Sequence, residues 1–304
     1  MTTNTTILTA DDEKKTAAMS SVIAAIGLTT FKIIVGVMTN SLGILAEAAH
    51  SGLDLVAALA TFLAVRISGK PADQKHPYGH GKVENLSALF ETLLLLATSA
   101  WIIFESIQRL TAESVKVDAS IWAFIVMATS IIVDFTRSRI LYKTARKHNS
   151  QALEADALHF STDIWSSTVV ILGLVGVRLA SQFTSLQFLH KADAIAALGV
   201  ALIVIYVSLN MGIRTIHGLI DQVPEELPEK ISKAIIAIPG IENVHQVRVR
   251  PSGPSYFVDV HVVVDGNLHL TEAHQLTTQV DKVVKQLIPQ CDITVHAEPS
   301  SSSD

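Results

Sequence analysis

The sequence predicts an α-helical polytopic membrane domain of six transmembrane helices, followed by a small α+β domain in the order α-β-β-α-β. Three observations predict it. Of 304 residues, 49% are hydrophobic and only 17% charged, with a positive mean hydropathy, a departure from soluble averages toward multi-pass membrane proteins. Six windows of about 18 to 25 residues are apolar enough to cross a hydrocarbon core of about 30 Å. After Asp221 the composition returns to that of a soluble domain. A net charge of -5 without any basic run sets nucleic acid aside as a partner, and the single Cys291 excludes an intrachain disulfide.

Residues 1–16 are mostly polar and show no short apolar core with a small-residue cleavage site, so they are expected to be an N-terminal cytoplasmic segment and the first apolar stretch a retained span. The spans are expected at 17–39, 41–67, 86–110, 118–141, 153–180 and 192–217, within a membrane domain covering 17–220. An even number of spans places both termini on one side. The second-to-third connection holds Arg66, Lys70, Lys75 and Lys82, and the fourth-to-fifth holds Arg137, Arg139, Lys143, Arg146 and Lys147. The first-to-second turn has no Lys or Arg, the third-to-fourth has Arg109 and Lys116, and the fifth-to-sixth has Arg178 and Lys191. Cytoplasmic loops carry the excess of cations, so both termini are expected to be cytoplasmic.

The domain over 221–298 opens with PEELPEK, where Pro228 suits a first helical turn. His245 to Arg250 alternates, SGPS supplies a turn, and Phe257 to Val264 puts Val258, Val260, Val262 and Val264 on one face. Thr271 to Ile288 spaces Leu276, Val280, Val283, Val284 and Leu287 as a helix, and Asp292 to Glu298 reads as a short strand. Residues 299–304 are expected to be a disordered tail.

Two stretches carry chemistry inside apolar sequence: His50 with Asp54 in AEAAHSGLDLVAAL, and His159 with Asp163 in ADALHFSTDIWSS. Residues four apart share a helix face, and ionisable groups at bilayer depth are costly and usually functional. At 1.5 Å per residue, His50 and Asp54 lie about 14 and 20 Å below the outer surface, and His159 and Asp163 about 10 and 16 Å above the inner one. His50 then matches Asp163 in depth, and Asp54 matches His159. Two imidazoles and two carboxylates suit a tetrahedral divalent ion such as zinc, with cobalt, cadmium and iron harder to separate by affinity. Two uncompensated anions in low dielectric would be expensive once that ion left, so protons are expected to replace it.

Each group alone could instead satisfy an interhelical hydrogen bond or pair with a cation. Two matched pairs at one depth favour the metal. Glu47, one turn before His50, reads as a supporting partner of the ligands or part of a polar access path. Lys32, Glu91, Glu105, Asp134 and Asp156 read as structural or snorkelling residues. Asp73, His76 and His80 have metal-compatible spacing, although exposed loop residues of this kind are more often solvated. His245, His261, His274, His296 and Glu298 are candidate ligands for a regulatory ion, with His296 and Glu298 on one strand face and His261 opposite the valine row. His269 reads as solvated.

The segments TNSLGILAEAAHSGLDL, PADQKHPYGHGKVENLSALFE and EADALHFSTD, with the helix, strand, strand, helix, strand tail, resemble the cation diffusion facilitator family of divalent metal/proton antiporters, which act as homodimers. The resemblance implies a transport site on His50, Asp54, His159 and Asp163 and a metallochaperone-like, ferredoxin-like cytoplasmic domain joining two protomers. It further implies a loop metal site on Asp73, His76 and His80 and a salt bridge from Lys82 to Asp221 between the dimer-forming spans and that domain. Its cytoplasmic metal cluster maps onto His245, His261, His274 and His296, with Glu298 where some members have Asp. The His/Asp, His/Asp pattern is similar to the zinc-selective branch, and the fourth-to-fifth connection lacks a His-rich insertion, as expected of a bacterial exporter in the plasma (inner) membrane.

The expected function is therefore export of Zn2+ in exchange for protons by alternating access in a homodimer, with Zn2+ as substrate and regulatory ligand, no organic cofactor, and Fe2+, Co2+ or Cd2+ as alternative cargo. Two other classes fit less well. An intramembrane metallohydrolase needs an open metal position and a general base, and no H-E-x-x-H is present. A membrane-anchored metal sensor would not need two acid/imidazole pairs in the bilayer.

Overall fold

A computed structural model describes residues 9–111, 121–182 and 189–300. Lys116, the first eight residues and the SSSD tail lie outside the described residues, so the expectations for them have no structural counterpart. The elements run α1 (Ala10–Thr39), α2 (Leu42–Ser68), α3 (Lys82–Thr111), α4 (Ile121–His148), α5 (Gln151–Gln182), α6 (Leu189–Leu219), α7 (Glu226–Ile236), β1 (Asn243–Ser252), β2 (Ser255–Val264), α8 (Leu270–Leu287) and β3 (Cys291–Pro299). Among the described residues, α1 to α4 and α6 are long and apolar enough to cross a membrane, and α5 is 32 residues long.

Several helices outrun their hydrophobic windows because capping carries them into polar sequence. Thr9 accepts from the Asp12 amide at the start of α1, and Asp11, Asp12 and Glu13 complement that helix end. Asn40 stops α1 in the left-handed region at φ 50°, its N–H directed at the Gly36 and Val37 carbonyls. Ser41 then caps α2. This tight turn needs Gly36, since a Cβ there would stand 2.8 Å from Leu45 Cδ2.

The chain forms two compact units, residues 1–70 with 83–215, and residues 71–82 with 216–304. Composition placed the division after residue 220 alone. It does not reveal that the α2–α3 connection joins the second unit, where Tyr78 meets Phe257 edge-on at 5.1 Å and Arg250 lies 3.7 Å over the Tyr78 ring.

In the first unit α1 packs on α2 and α4, and α5 on α2 and α4. Ala17, Ala18, Ala57, Ala58, Ala145, Ala152 and Ala157 are buried, small side chains that let helix backbones approach closely. Ala88, Ala155 and Met211 join α3, α5 and α6 in one buried cluster. Lys32, Glu91, Asp134 and Asp156 are all buried, which leaves the structural half of their reading and corrects the snorkelling half. Lys32 donates to Ser51 Oγ at 2.7 Å, and Asp134 pairs with Arg137 at 3.3 Å. Arg137 also donates to Ser21 and stacks 3.5 Å over the Phe160 ring. Fully buried Glu84 accepts from Lys14 Nζ at 3.0 Å, from Ser68 Oγ at 2.9 Å and from Ser150 Oγ, joining α1, α2, α3 and the residue capping α5.

In the second unit the sheet order is β1-β2-β3, with β1 antiparallel and β3 parallel to β2. The valine row of β2 is buried in one core with Ile231 and Ile235 of α7 and Val280 and Val284 of α8. Its other face carries Asp259 and His261 between Phe257 and Val263.

Candidate metal centre

Helices α2 and α5 pack against each other, bringing ligand atoms of His50, Asp54 and Asp163 within 4.8 Å of one another, with His159 beside the two carboxylates. His159 Nε2 lies 3.3 Å from Asp54 Oδ1, and His50 Nε2 lies 3.9 Å from Asp163 Oδ1. This crossed pairing is the one that helices running in opposite directions at matched depth require. Within each helix, His50 Nε2 is 3.9 Å from Asp54 Oδ1 and His159 Nε2 is 3.6 Å from Asp163 Oδ2. A tetrahedral ion with bonds of about 2.0–2.2 Å sets its ligand atoms roughly 3.3–3.6 Å apart. These four separations, of the six edges of such a tetrahedron, lie at or a few tenths of an ångström above that range. Asp54 and His159 are buried, whereas the His50 side chain is 42% exposed and leaves one side of the group reachable.

Glu47 is 3.3 Å from Lys32 Nζ, and that cation is its salt-bridge partner. A residue set aside from sequence stands closer to the site: Glu91 of α3 lies against His159 on the ring edge away from the carboxylates. Only tertiary packing marks it, because its own helix carries no ligand.

In the α2–α3 connection, Asp73 reaches His76 Nδ1 at 3.2 Å and His80 Nε2 at 3.4 Å, and the imidazole rings stand 4.5 Å apart. The His76 backbone amide, with that of Lys75, holds the Asp73 carboxyl below its ordinary value and favours the anion. Lys82 Nζ meets Asp221 Oδ1 at 2.7 Å and also donates to the Leu219 carbonyl.

On the polar face of the sheet, His245 is paired with His261 across β1 and β2, and His261 with His296 across β2 and β3. Three imidazoles thus stand in one row, and Glu298 follows two residues after His296. Glu298 lies 2.7 Å from His261 Nδ1, 3.2 Å from His245 Nε2 and 3.6 Å from His296 Nε2. His245, His261 and Glu298 bring two nitrogen donors and one carboxylate within 4.8 Å of one another, with exposed His296 beside them at Glu298, a set suited to a borderline-soft dication. His274 is exposed on α8 and is not gathered into this group.

The hydrogen bond with His261 lowers the Glu298 carboxyl below its ordinary value of 4.5. A depressed carboxyl stabilises the fold above the unfolded-state value and loses that contribution as the pH falls through the folded-state value. Glu298→Gln is accordingly expected to flatten the acid limb of the stability profile of the metal-free protein below about pH 5. Thermal unfolding at a series of pH values checks this, and an unchanged acid limb would contradict the assignment.

Residues 18–220 match the family described as cation efflux transmembrane domain, and residues 223–300 match cation efflux protein, cytoplasmic domain. The cation-efflux pump FieF of Klebsiella pneumoniae is 32% identical over 290 residues, which span 94% of this chain and 92% of that pump. The pump of the same name from Cronobacter sakazakii is 31% identical over 287 residues, again 94% and 92% of the two chains. Among solved structures, the metal-bound C-terminal domain of the CzcD transporter from Thermotoga maritima is 29% identical, covering 26% of this chain and 93% of that one with a TM-score of 0.24.

Proposed function

The chain belongs to the cation diffusion facilitator family of cation efflux transporters, and on that premise we propose that its cargo is Zn2+, exported from the cytoplasm in exchange for protons. One observation carries the reading: His50, Asp54, His159 and Asp163 converge with cross-helix and same-helix separations of 3.3 to 3.9 Å. Two carboxylates neutralise a dication, and two imidazoles add the nitrogen donors that zinc accepts in tetrahedral geometry. Release of the ion to water leaves two carboxylates uncompensated in a low-dielectric surrounding, and protons must balance them, which ties export to a proton gradient. The ion then crosses by alternating access around a fixed site in a homodimer of the plasma (inner) membrane, both termini cytoplasmic.

The loop group and the C-terminal row lie apart in sequence from the transport ligands and serve as binding points for cytosolic metal. Metal held by the C-terminal row favours one dimer arrangement, and only a difference in affinity between two arrangements can shift the transporter. His261→Ala combined with His296→Ala should remove the rise in transport rate that cytosolic-side zinc produces in the parent protein. Retention of that rise in the double variant would rule out regulation through this row.

Stopped-flow uptake into sealed proteoliposomes tests the cargo, using Zn2+, Cd2+, Co2+, Fe2+ and Mn2+ singly, with and without an imposed pH gradient. Zinc flux driven by the gradient, with protons counted in the opposite direction, is the expected result. Zinc flux indifferent to the gradient would overturn proton exchange, and preferred flux of another ion would overturn the cargo.

A further inference from the structure

Glu91 of α3 is fully buried, and its Oε2 lies 3.3 Å from His159 Nδ1. Among the described residues neither atom has another hydrogen-bond partner, while the opposite ring nitrogen, Nε2, faces Asp54 and Asp163. Thr61 of α2 donates to the other Glu91 oxygen at 3.2 Å, and, having spent its one proton, accepts from Ser87 at 3.4 Å. The chain of donation therefore ends on Glu91, leaving Oε2 free for the imidazole. Two buried polar atoms that face each other without a well-aligned bond are costly, and a small ring rotation aligns them.

Resting on the transport site assigned above, we propose that Glu91 is the positioning residue of His159, with Thr61 orienting Glu91 in turn. The neutral ring carries one proton, and the carboxylates beside Nε2 would draw it to the metal side. Glu91 holds it on Nδ1 instead, so that the Nε2 lone pair points at the ion and gains donor strength from the anion behind it. A partner three helices contribute to, α2 and α3 through Thr61, Ser87 and Glu91 and α5 through His159, also sets the ring plane.

Zinc uptake by full-length protein in proteoliposomes, with zinc binding measured in detergent, tests the assignment. Glu91→Ala should raise the KM and the binding Kd for Zn2+ by about 10- to 100-fold with the maximal rate within about twofold of the parent. Glu91→Gln, which still accepts through its amide oxygen but carries no charge, should recover part of the affinity, and Thr61→Val should weaken binding less than Glu91→Ala. A merely structural role would lower folded yield or maximal rate and leave KM and Kd alone, and that pattern overturns the proposal. Asp54→Ala, assayed alongside, separates the two failures: if it transports zinc as the parent does, the site itself is wrong. If it is silent while Glu91→Ala keeps the parent KM and Kd, only the role of Glu91 falls.

Discussion

Asp54→Ala is expected to silence zinc transport, lowering flux by at least about 100-fold, since partners one layer outside a metal site already change affinity by about 10- to 100-fold. The substitution removes the oxygen nearest His159 Nε2 and one of the two anions that balance a dication. What remains is a site with an unequal charge and three donors, to which an ion binds weakly and from which proton exchange no longer restores neutrality. Asp54→Asn keeps the shape and separates charge from volume. Uptake into proteoliposomes checks the flux, and thermal unfolding confirms that the helices remain packed. Parent-level zinc flux in a folded Asp54→Ala protein would end the site assignment.

The largest effect on stability is expected at Glu84, far in sequence from most of its partners. Glu84→Ala strands the Lys14 ammonium in a buried place, with Asp11 at 3.2 Å as its remaining carboxylate. Removing one partner of a buried pair costs about 3–5 kcal/mol, because the other charge stays out of water. Asp11 is partly exposed and only partly compensates, so a loss of roughly 3 kcal/mol follows, about 6–12 °C of melting temperature in a domain of this size. Replacing both partners, Lys14→Met with Glu84→Leu, should recover most of it, since an apolar pair carries no stranded charge. Thermal unfolding in detergent measures all three proteins. Equal melting of Glu84→Ala and the parent would show that the buried pair does not hold these helices together.

The groups of the proposed transport site could be picked out because their spacing is local. H-x-x-x-D places two groups on one face wherever a helix forms, and rise per residue then sets their depth. The β2 row was equally plain, since alternation of Val258, Val260, Val262 and Val264 needs only the period of a strand. Glu84, Glu91 and Arg137 were opaque for the opposite reason. Apart from Asp134 beside Arg137, their partners lie on other helices, Lys14 and Glu84 being 70 residues apart and Ser21 and Arg137 being 116, and no periodicity within one helix announces such a pair. The C-terminal histidines could be named but not aligned. Their row depends on the register of three strands, including an irregularity in β1 between His245 and Arg248, where Gln246 takes φ 50°. The membership of residues 71–82 was hidden too, because a short polar connection reads alike wherever it packs.

The tight link between α1 and α2 has a mechanical meaning. Two residues, Asn40 and Ser41, separate the helices, and the backbone at Gly36 leaves no slack against Leu45. A link of two residues couples the ends of the two helices closely. Lys32 on α1 and His50 on α2 are therefore expected to move together, and a tilt that shifts the α2 half of the proposed metal site should carry that cation with it.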